Sequence, residues 1–275
     1  MLRLLSTLIT IGTLGYGAWW LNDAQPQLKQ VVLSRLNFGK FETFEATFTP
    51  KQIAAKKRLA VPKESESSVK LHPYLLMRVK FTSRAAETEE GVILWDLIKG
   101  EMVLNTKHWE TTHGFADCID AKARAHEYTI IHTIAESDGN ADHESLVTAL
   151  NLDSSLADIW VERCQQKKLI VKQEDGYRIH LHNPVLCFTP STEIATPLIT
   201  STQTRYERLA RHYSPIQIKK AAQAAFGSDF AIRSMQDVFL PVYSIKIENP
   251  DGSLRTTFWN GLTGQQIHDH LALIE

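Results

Sequence analysis

Residues 41–53 read FETFEATFTPKQI, and residues 206–218 read YERLARHYSPIQI, at a constant spacing of 165 positions. An aromatic-Glu pair opens both, and Thr49-Pro50 or Ser214-Pro215, followed after one residue by Gln-Ile, closes both. The match continues downstream. Pro73–Lys80 (PYLLMRVK) lines up with Pro241–Glu248 (PVYSIKIE). Trp95-Asp96, Gly100-Glu101 and Val103 line up with Trp259-Asn260, Gly264-Gln265 and Ile267. Small drifts in spacing are what loop insertions between preserved elements leave behind, so a duplicated unit brackets the middle of the chain.

Thr or Ser before proline is an N-cap with proline at the first helical position. Ala-, Lys- and Gln-rich segments follow, which predicts helices over Lys51–Ala60 and Ile216–Phe226. Alternation then marks strands with one buried face, carried by Leu75, Met77, Val79 and Phe81 in the first copy and by Tyr243, Ile245 and Ile247 in the second. Asn249-Pro250-Asp251-Gly252 is a strong turn, where the first copy uses the longer charged connection Ser83–Gly91. A further strand begins after Gly100 and Gly264. Each unit reads as one helix on a small antiparallel meander, with Trp95 and Trp259 packed beneath the helix of their own unit. The two units are expected to close on each other about a pseudo-twofold axis.

The second copy, VYSIKIENPDGSLRTTFWNGLTGQQI (residues 242–267), resembles the PepSY family of small extracytoplasmic domains. The shared features are strand, Asp-Gly turn, strand, and then a corner formed by Asn260, Thr263 and Gly264. The first copy keeps Trp95, Asp96 and Gly100 but has Lys99 where that pattern has threonine. The resemblance covers about 41–105 and 206–269. It implies an export-associated binding or inhibitory module that carries no catalytic residues.

The middle reads differently. Ala121–Ser137 is a helix with Tyr128, Ile131 and Ile134 on one stripe, Asp142–Leu150 a second, and Ser155–Lys168 a third with Leu156, Ile159, Trp160 and Cys164 at helical spacing. A strand at Leu169–Val171, a turn at Gln173–Gly176 and a return strand at Tyr177–Leu181 follow. This order resembles a winged helix-turn-helix over 119–183. A DNA reader needs a basic recognition helix and wing to neutralise phosphates. Between Ile119 and Asn183 there are eleven Asp or Glu against seven Lys or Arg. Asp153, Asp158 and Glu162 lie on the expected recognition helix, and Glu174 and Asp175 at the wing tip. The charge argues for protein docking and against nucleic acid.

Composition sets outer bounds. The chain has 275 residues, 43% apolar and 22% charged, with a formal net charge of −1. That apolar share excludes wholesale disorder, and the neutral balance argues against a chain whose main partner is nucleic acid backbone, leaving room for a local basic face. Leu4 to Leu21, LLSTLITIGTLGYGAWWL, contains no charged residue. As a helix of about 27 Å it predicts a transmembrane anchor or cleaved signal over 1–22, contacting the membrane and leaving the body extracytoplasmic, periplasmic in a bacterium. Leu28, Val31, Val32 and Leu36 mark an amphipathic stalk over 23–40.

The remaining candidates are few. His180 and His182, and His268 and His270, are pairs with affinity for zinc or copper, but neither has the spacing of a recognised site, so no metal and no cofactor is assigned. Thr111–Cys118 gathers His113, Asp117 and Cys118 on one short loop, where nucleophile and base seldom align, so no catalytic residue is assigned. Three cysteines are too few for a disulfide scaffold, yet Cys118 and Cys187 flank the middle unit and form a possible disulfide in an exported body, with Cys164 buried on its helix. No phosphate loop, dinucleotide fingerprint or nucleophile elbow is present.

The expected layout is therefore α+β: an N-terminal transmembrane helix, then two helix-plus-meander units (41–117 and 206–275) flanking a winged-helix domain (118–188), with a Thr-rich linker over 189–205. The expected function is a non-enzymatic, membrane-anchored protein-binding or assembly module. The alternatives are a membrane-tethered DNA-binding regulator and an enzyme with an unrecognised site.

Overall fold

The computed structural model describes residues 40–62, 67–83, 87–202 and 206–267. Both copies begin with a short strand and a capped helix. In the first these are β1 (Phe41–Phe44) and α1 (Pro50–Lys57). Thr49 and Gln52 form a reciprocal capping box there, as Ser214 and Gln217 do before the corresponding helix Pro215–Phe226. Two orphan N–H groups are satisfied at each helix start, and proline loses nothing at a position whose N–H has no partner. The strands β2 (Ser68–Thr82), β3 (Thr88–Asp96) and β4 (Met102–Asn105) complete the first copy, followed by the two-residue β5 (Glu110–Thr111).

An inserted unit comes next. It comprises α2 (Phe115–Asp120), α3 (Ala125–Glu136), β6 (Asn140–Ala141), α4 (His143–Leu150), α5 (Ser154–Gln166), β7 (Ile170–Gln173) and β8 (Gly176–Ile179). The chain returns through β9 (Leu198–Ser201) and β10 (Glu207–Arg208) to α6 (Pro215–Phe226). It then completes the second copy with β11 (Ala231–Glu248), β12 (Leu254–Asn260) and β13 (Gln266–Ile267).

The two copies do not build separate meanders. They share one ten-stranded sheet in the order β13-β12-β11-β2-β3-β4-β5, and the two longest strands lie antiparallel at its centre. Leu71 faces Pro241 and Pro73 faces Phe239 across this pair, so His72 lies opposite its own repeat equivalent, Leu240. That point is the local twofold axis. The symmetry extends outward: β1 runs parallel beside β11 (Glu42 opposite Val238), and β10 runs parallel beside β2 (Glu207 opposite Lys70).

Each helix covers the other copy's strands. Ile53 of α1 is buried among Tyr243, Ile245, Ile247 and Trp259 of the second copy. Ile218 and Ala222 of α6 are buried with Leu75, Met77, Val79 and Trp95 of the first. The backbone repeats the exchange. Thr47 and Phe48 N–H both donate to the Gly261 carbonyl at 3.0 Å, and His212 and Tyr213 N–H both donate to the Leu97 carbonyl at 2.9 Å. Gly100 adopts φ +74°, and a Cβ there would lie 2.5 Å from Tyr213 Cε2, so only glycine admits the incoming aromatic.

The inserted unit is not a separate body. Tyr128, Ile131 and Ile134 of α3, Leu146 of α4 and Val161 and Cys164 of α5 belong to the same buried cluster as Leu75, Met77, Val79 and Phe81 of β2. Glu101 ties the join. Its buried carboxylate accepts from Gly114 N–H (2.8 Å), Ala116 N–H (3.1 Å) and the Thr112 hydroxyl (2.7 Å) at the start of α2. An anion there meets the unpaired N–H groups of the first turn.

Four expectations are corrected. The fold is a mixed α/β arrangement around one large sheet, not an α+β pair of independent meanders, because strand pairing across the axis buries both faces of β2 and β11. Trp95 and Trp259 sit beneath the partner copy's helix, not their own. The Thr-rich run over 189–205 does more than connect: β9 pairs with β1, and buried Thr192 donates to the Val103 carbonyl and accepts from Leu94 N–H. The membrane expectation is also corrected. Leu4–Leu21 and the stalk fall outside the described residues, and among those described no helix is long and apolar enough to cross a membrane. The single-pass, transmembrane and extracytoplasmic assignments are withdrawn accordingly.

Candidate docking surface

Within the insert, β6, β8 and β7 form a three-stranded antiparallel sheet beside α3–α5. The hairpin matches the sequence expectation; the two-residue β6, which pairs Asn140 with Arg178 and Ala141 with Tyr177, was not legible in it. Gly176 at the hairpin turn (φ +149°) lies so close to β6 that a Cβ would stand 2.5 Å from the Ala141 carbonyl oxygen. Ala157, Val161 and Cys164 face the core from α5, while Asp158, Ile159 and Glu162 face out. Ile159, expected on the apolar stripe, is 46% exposed.

Carboxylates dominate this outer side. Asp142 caps α4 by accepting from Ser145 N–H at 2.7 Å, and Asp153 caps α5 by accepting from Leu156 N–H at 3.1 Å. Hydrogen bonds from Ser145 hold the Asp142 carboxyl below its ordinary range, and those from the Ser155 hydroxyl and Leu156 N–H do the same for Asp153, so both stay ionised. Asp158 Oδ1 lies 2.6 Å from His143 Nε2 between the helices. Asp142, His143, Asp158, Glu174 and Asp175 line one shallow concavity with Lys172. Lys167 does not offset them, because its ammonium turns inward to the buried Glu127 carboxylate (2.7 Å) and the Lys122 carbonyl (3.0 Å).

The other sequence candidates are dispersed. His180 is exposed, its Nδ1 3.3 Å from the Lys168 carbonyl, and exposed His182 neighbours Asn183. His268 and His270 lie outside the described residues. Among the described residues, no group of three or more His, Cys, Asp or Glu is placed to hold a metal ion. Cys118 and Cys187 are free thiols instead of the expected disulfide, and Cys164 is free as well. Burial, reinforced by neighbouring carboxylates, pushes the Cys118 thiol far up, and burial pushes Cys164 up to about 12. In the Thr111–Cys118 run His113 is exposed while Cys118 is fully buried, so the two face different surroundings.

A buried polar cluster at the twofold axis escaped the sequence reading. His72 Nε2 lies 2.8 Å from Asp96 Oδ1, and both side chains are 2% exposed. Asp96 Oδ1 also accepts from Ile98 N–H (2.7 Å) and Lys99 N–H (2.9 Å). The His72 ring stacks on Tyr74, whose hydroxyl accepts from Trp109 Nε1–H at 3.1 Å. A signal was available: aligning the repeats sets His72 and Asp96 against Leu240 and Asn260. No family model, curated protein or solved structure matches the chain.

Proposed function

We propose that the chain is a non-enzymatic docking module in which the duplicated sheet holds a winged-helix-like insert and presents its acidic outer side to a basic surface of another protein. The observation that carries this is the charge of the two features a nucleic-acid reader turns towards phosphate. The outer side of α5 displays Asp158 and Glu162 beside a single exposed Arg163, and the β7–β8 turn displays Glu174 and Asp175 beside Lys172, so carboxylates outnumber cations at both places. Like charges facing one another disfavour association, while a basic partner gains both encounter rate and register from the same field. The order helix, strand, helix, helix, hairpin supports the winged-helix reading of the insert. The PepSY-like reading of the flanking repeats accords with a scaffold that carries no chemistry of its own.

The test uses the full chain with two probes, a fluorescent oligolysine peptide and duplex DNA, at low salt. Salt-sensitive peptide binding is expected, several-fold weaker in Asp158→Asn/Glu174→Gln/Asp175→Asn, with no mobility shift of the duplex. A salt-sensitive DNA shift overturns the proposal, as does peptide binding that the triple variant leaves unchanged.

A further inference from the structure

His126 is the second residue of α3, and its ring lies against α5. It stacks on the ring of Trp160, with centroids 4.1 Å apart and planes 29° from parallel. Its Nε2 is shut off from solvent and has no hydrogen-bond partner among the described residues. A neutral imidazole can leave one ring nitrogen as a bare acceptor. An imidazolium carries N–H on both, and here it would bury a charged donor with nothing to receive it. The position adds to that cost, because the first turn of a helix is its positive end. The charged groups that act on the ring are Glu127 and Arg124 from α3 and Arg163 and Lys167 from α5. The one carboxylate among them is already engaged: Glu127 Oε2 accepts from Arg124 N–H and from the Lys167 ammonium, both at 2.7 Å. Burial holds the imidazole below 6.5; Glu127 opposes it, and Arg124, Lys167 and Arg163 reinforce it.

Trp160 connects this ring to the acidic surface. It stands two residues from Asp158 and two from Glu162, whose side chains are exposed while Trp160 packs against the core. How Trp160 seats against α3 therefore sets the position of both carboxylates. We propose that His126 is an acid-sensitive latch of the insert: protonation expels its ring from Trp160, loosens α5 on α3 and weakens docking of a basic partner. A histidine depressed on folding contributes stability that is complete above about pH 6.5 and disappears as pH falls through its folded value. The docking half of this inference rests on the function proposed above; the latch itself does not.

The experiment compares the full chain with His126→Phe, which keeps a ring against Trp160 but cannot take up a proton. NMR of the histidine rings identifies His126 as the resonance missing from the variant, and it is expected to titrate below 6.5. Deuterium exchange along α5, corrected for the intrinsic effect of pH, is expected to quicken between about pH 7.5 and pH 5.5 in wild type and not in the variant. Over the same interval wild type is expected to lose at least about fivefold more affinity for the fluorescent oligolysine peptide than the variant loses. His143, 2.6 Å from Asp158, is present in both proteins, so its contribution cancels in the comparison. A His126 resonance that titrates at 6.5 or above, or equal loosening of α5 in both proteins, overturns the latch. Equal loss of peptide affinity in both overturns its coupling to docking. Peptide that binds neither protein at any pH refutes the docking reading, and titration and exchange then decide the latch by themselves. Where His126→Phe does not fold, His126→Gln takes its place in all three measurements.

Discussion

Replacing His72 by Leu tests how the molecule tolerates a buried histidine–aspartate pair on its own symmetry axis. The substitution installs the residue that the second copy already carries at Leu240. It removes the 2.8 Å contact to Asp96 and leaves a carboxylate, 2% exposed, with the Ile98 and Lys99 N–H groups and the Tyr74 hydroxyl as its remaining donors among the described residues. Breaking one partner out of a buried pair costs about 3–5 kcal/mol, most of it the penalty for the charge left behind. Adding Asp96→Asn completes the transplant, because Asn260 makes the same turn uncharged, accepting from Leu262 N–H (2.8 Å) and Thr263 N–H (3.2 Å). Exchange of a buried ion pair for neutral residues of similar size is often neutral or stabilising by about 1–4 kcal/mol. His72→Leu/Asp96→Asn is therefore expected to recover the loss despite carrying one more substitution.

The assay is urea unfolding at pH 7 and again between pH 5 and pH 2. Burial alone would raise the Asp96 carboxyl. The charge and hydrogen bond of His72, with the Lys99 and Ile98 N–H groups, outweigh burial and hold it below 3.8. A carboxyl depressed on folding contributes stability that is complete above its unfolded pKa and disappears as pH falls through the folded one. Wild type should lose this contribution on acidification below about pH 5, and the double variant should not lose it. A single variant as stable as wild type at pH 7, or a double variant no better than the single, refutes the reasoning.

Three further outcomes follow from the geometry. Gly100→Ala forces a side chain into a left-handed backbone (φ +74°) and against the Tyr213 ring, and a loss of about 2–4 kcal/mol is expected in chemical denaturation; Gly252→Ala, also at positive φ but with nothing within 4 Å, should cost less. Ile53→Ala should cost about 2–5 kcal/mol and change Trp259 fluorescence, since the residue packs on the second copy's strands; a change confined to first-copy probes would contradict the helix exchange. In native protein at pH 8, mass spectrometry after brief alkylation should find Cys187 modified and Cys118 and Cys164 intact, because burial keeps those two thiols protonated; rapid labelling of Cys118 would contradict the packing of α2.

Much of the local structure was legible. Thr49-Pro50 and Ser214-Pro215 announce helix starts, and both become capping boxes. Leu75, Met77, Val79 and Phe81 announce a buried strand face. The acidic outer side of α5 and the wing tip follow from residue identity alone once the element order is read. Other features stayed hidden because they join distant residues of ordinary type. His72 and Asp96 are 24 positions apart, and nothing local distinguishes them from surface residues. A concavity lined by Phe81, Glu89, His132 and Phe188 draws on β2, β3, α3 and the segment after the wing, whose neighbourhood depends on how the insert packs. Ile159 fits the helical stripe of α5 in sequence yet lies outside the contact, because the core takes Ala157, Val161 and Cys164.

By itself, the sequence determined the duplication, the caps, the strand periodicity and the charge of the insert, since each rests on residues a few positions apart. The tertiary structure alone decided which helix covers which strands and that two meanders become one sheet. Hydrophobic burial has no direction, and Ile53 satisfies its local pattern equally well over either copy. The choice was settled by strand pairing across the His72–Leu240 axis and by the reach of the chain from Thr47 to Gly261 and from His212 to Leu97.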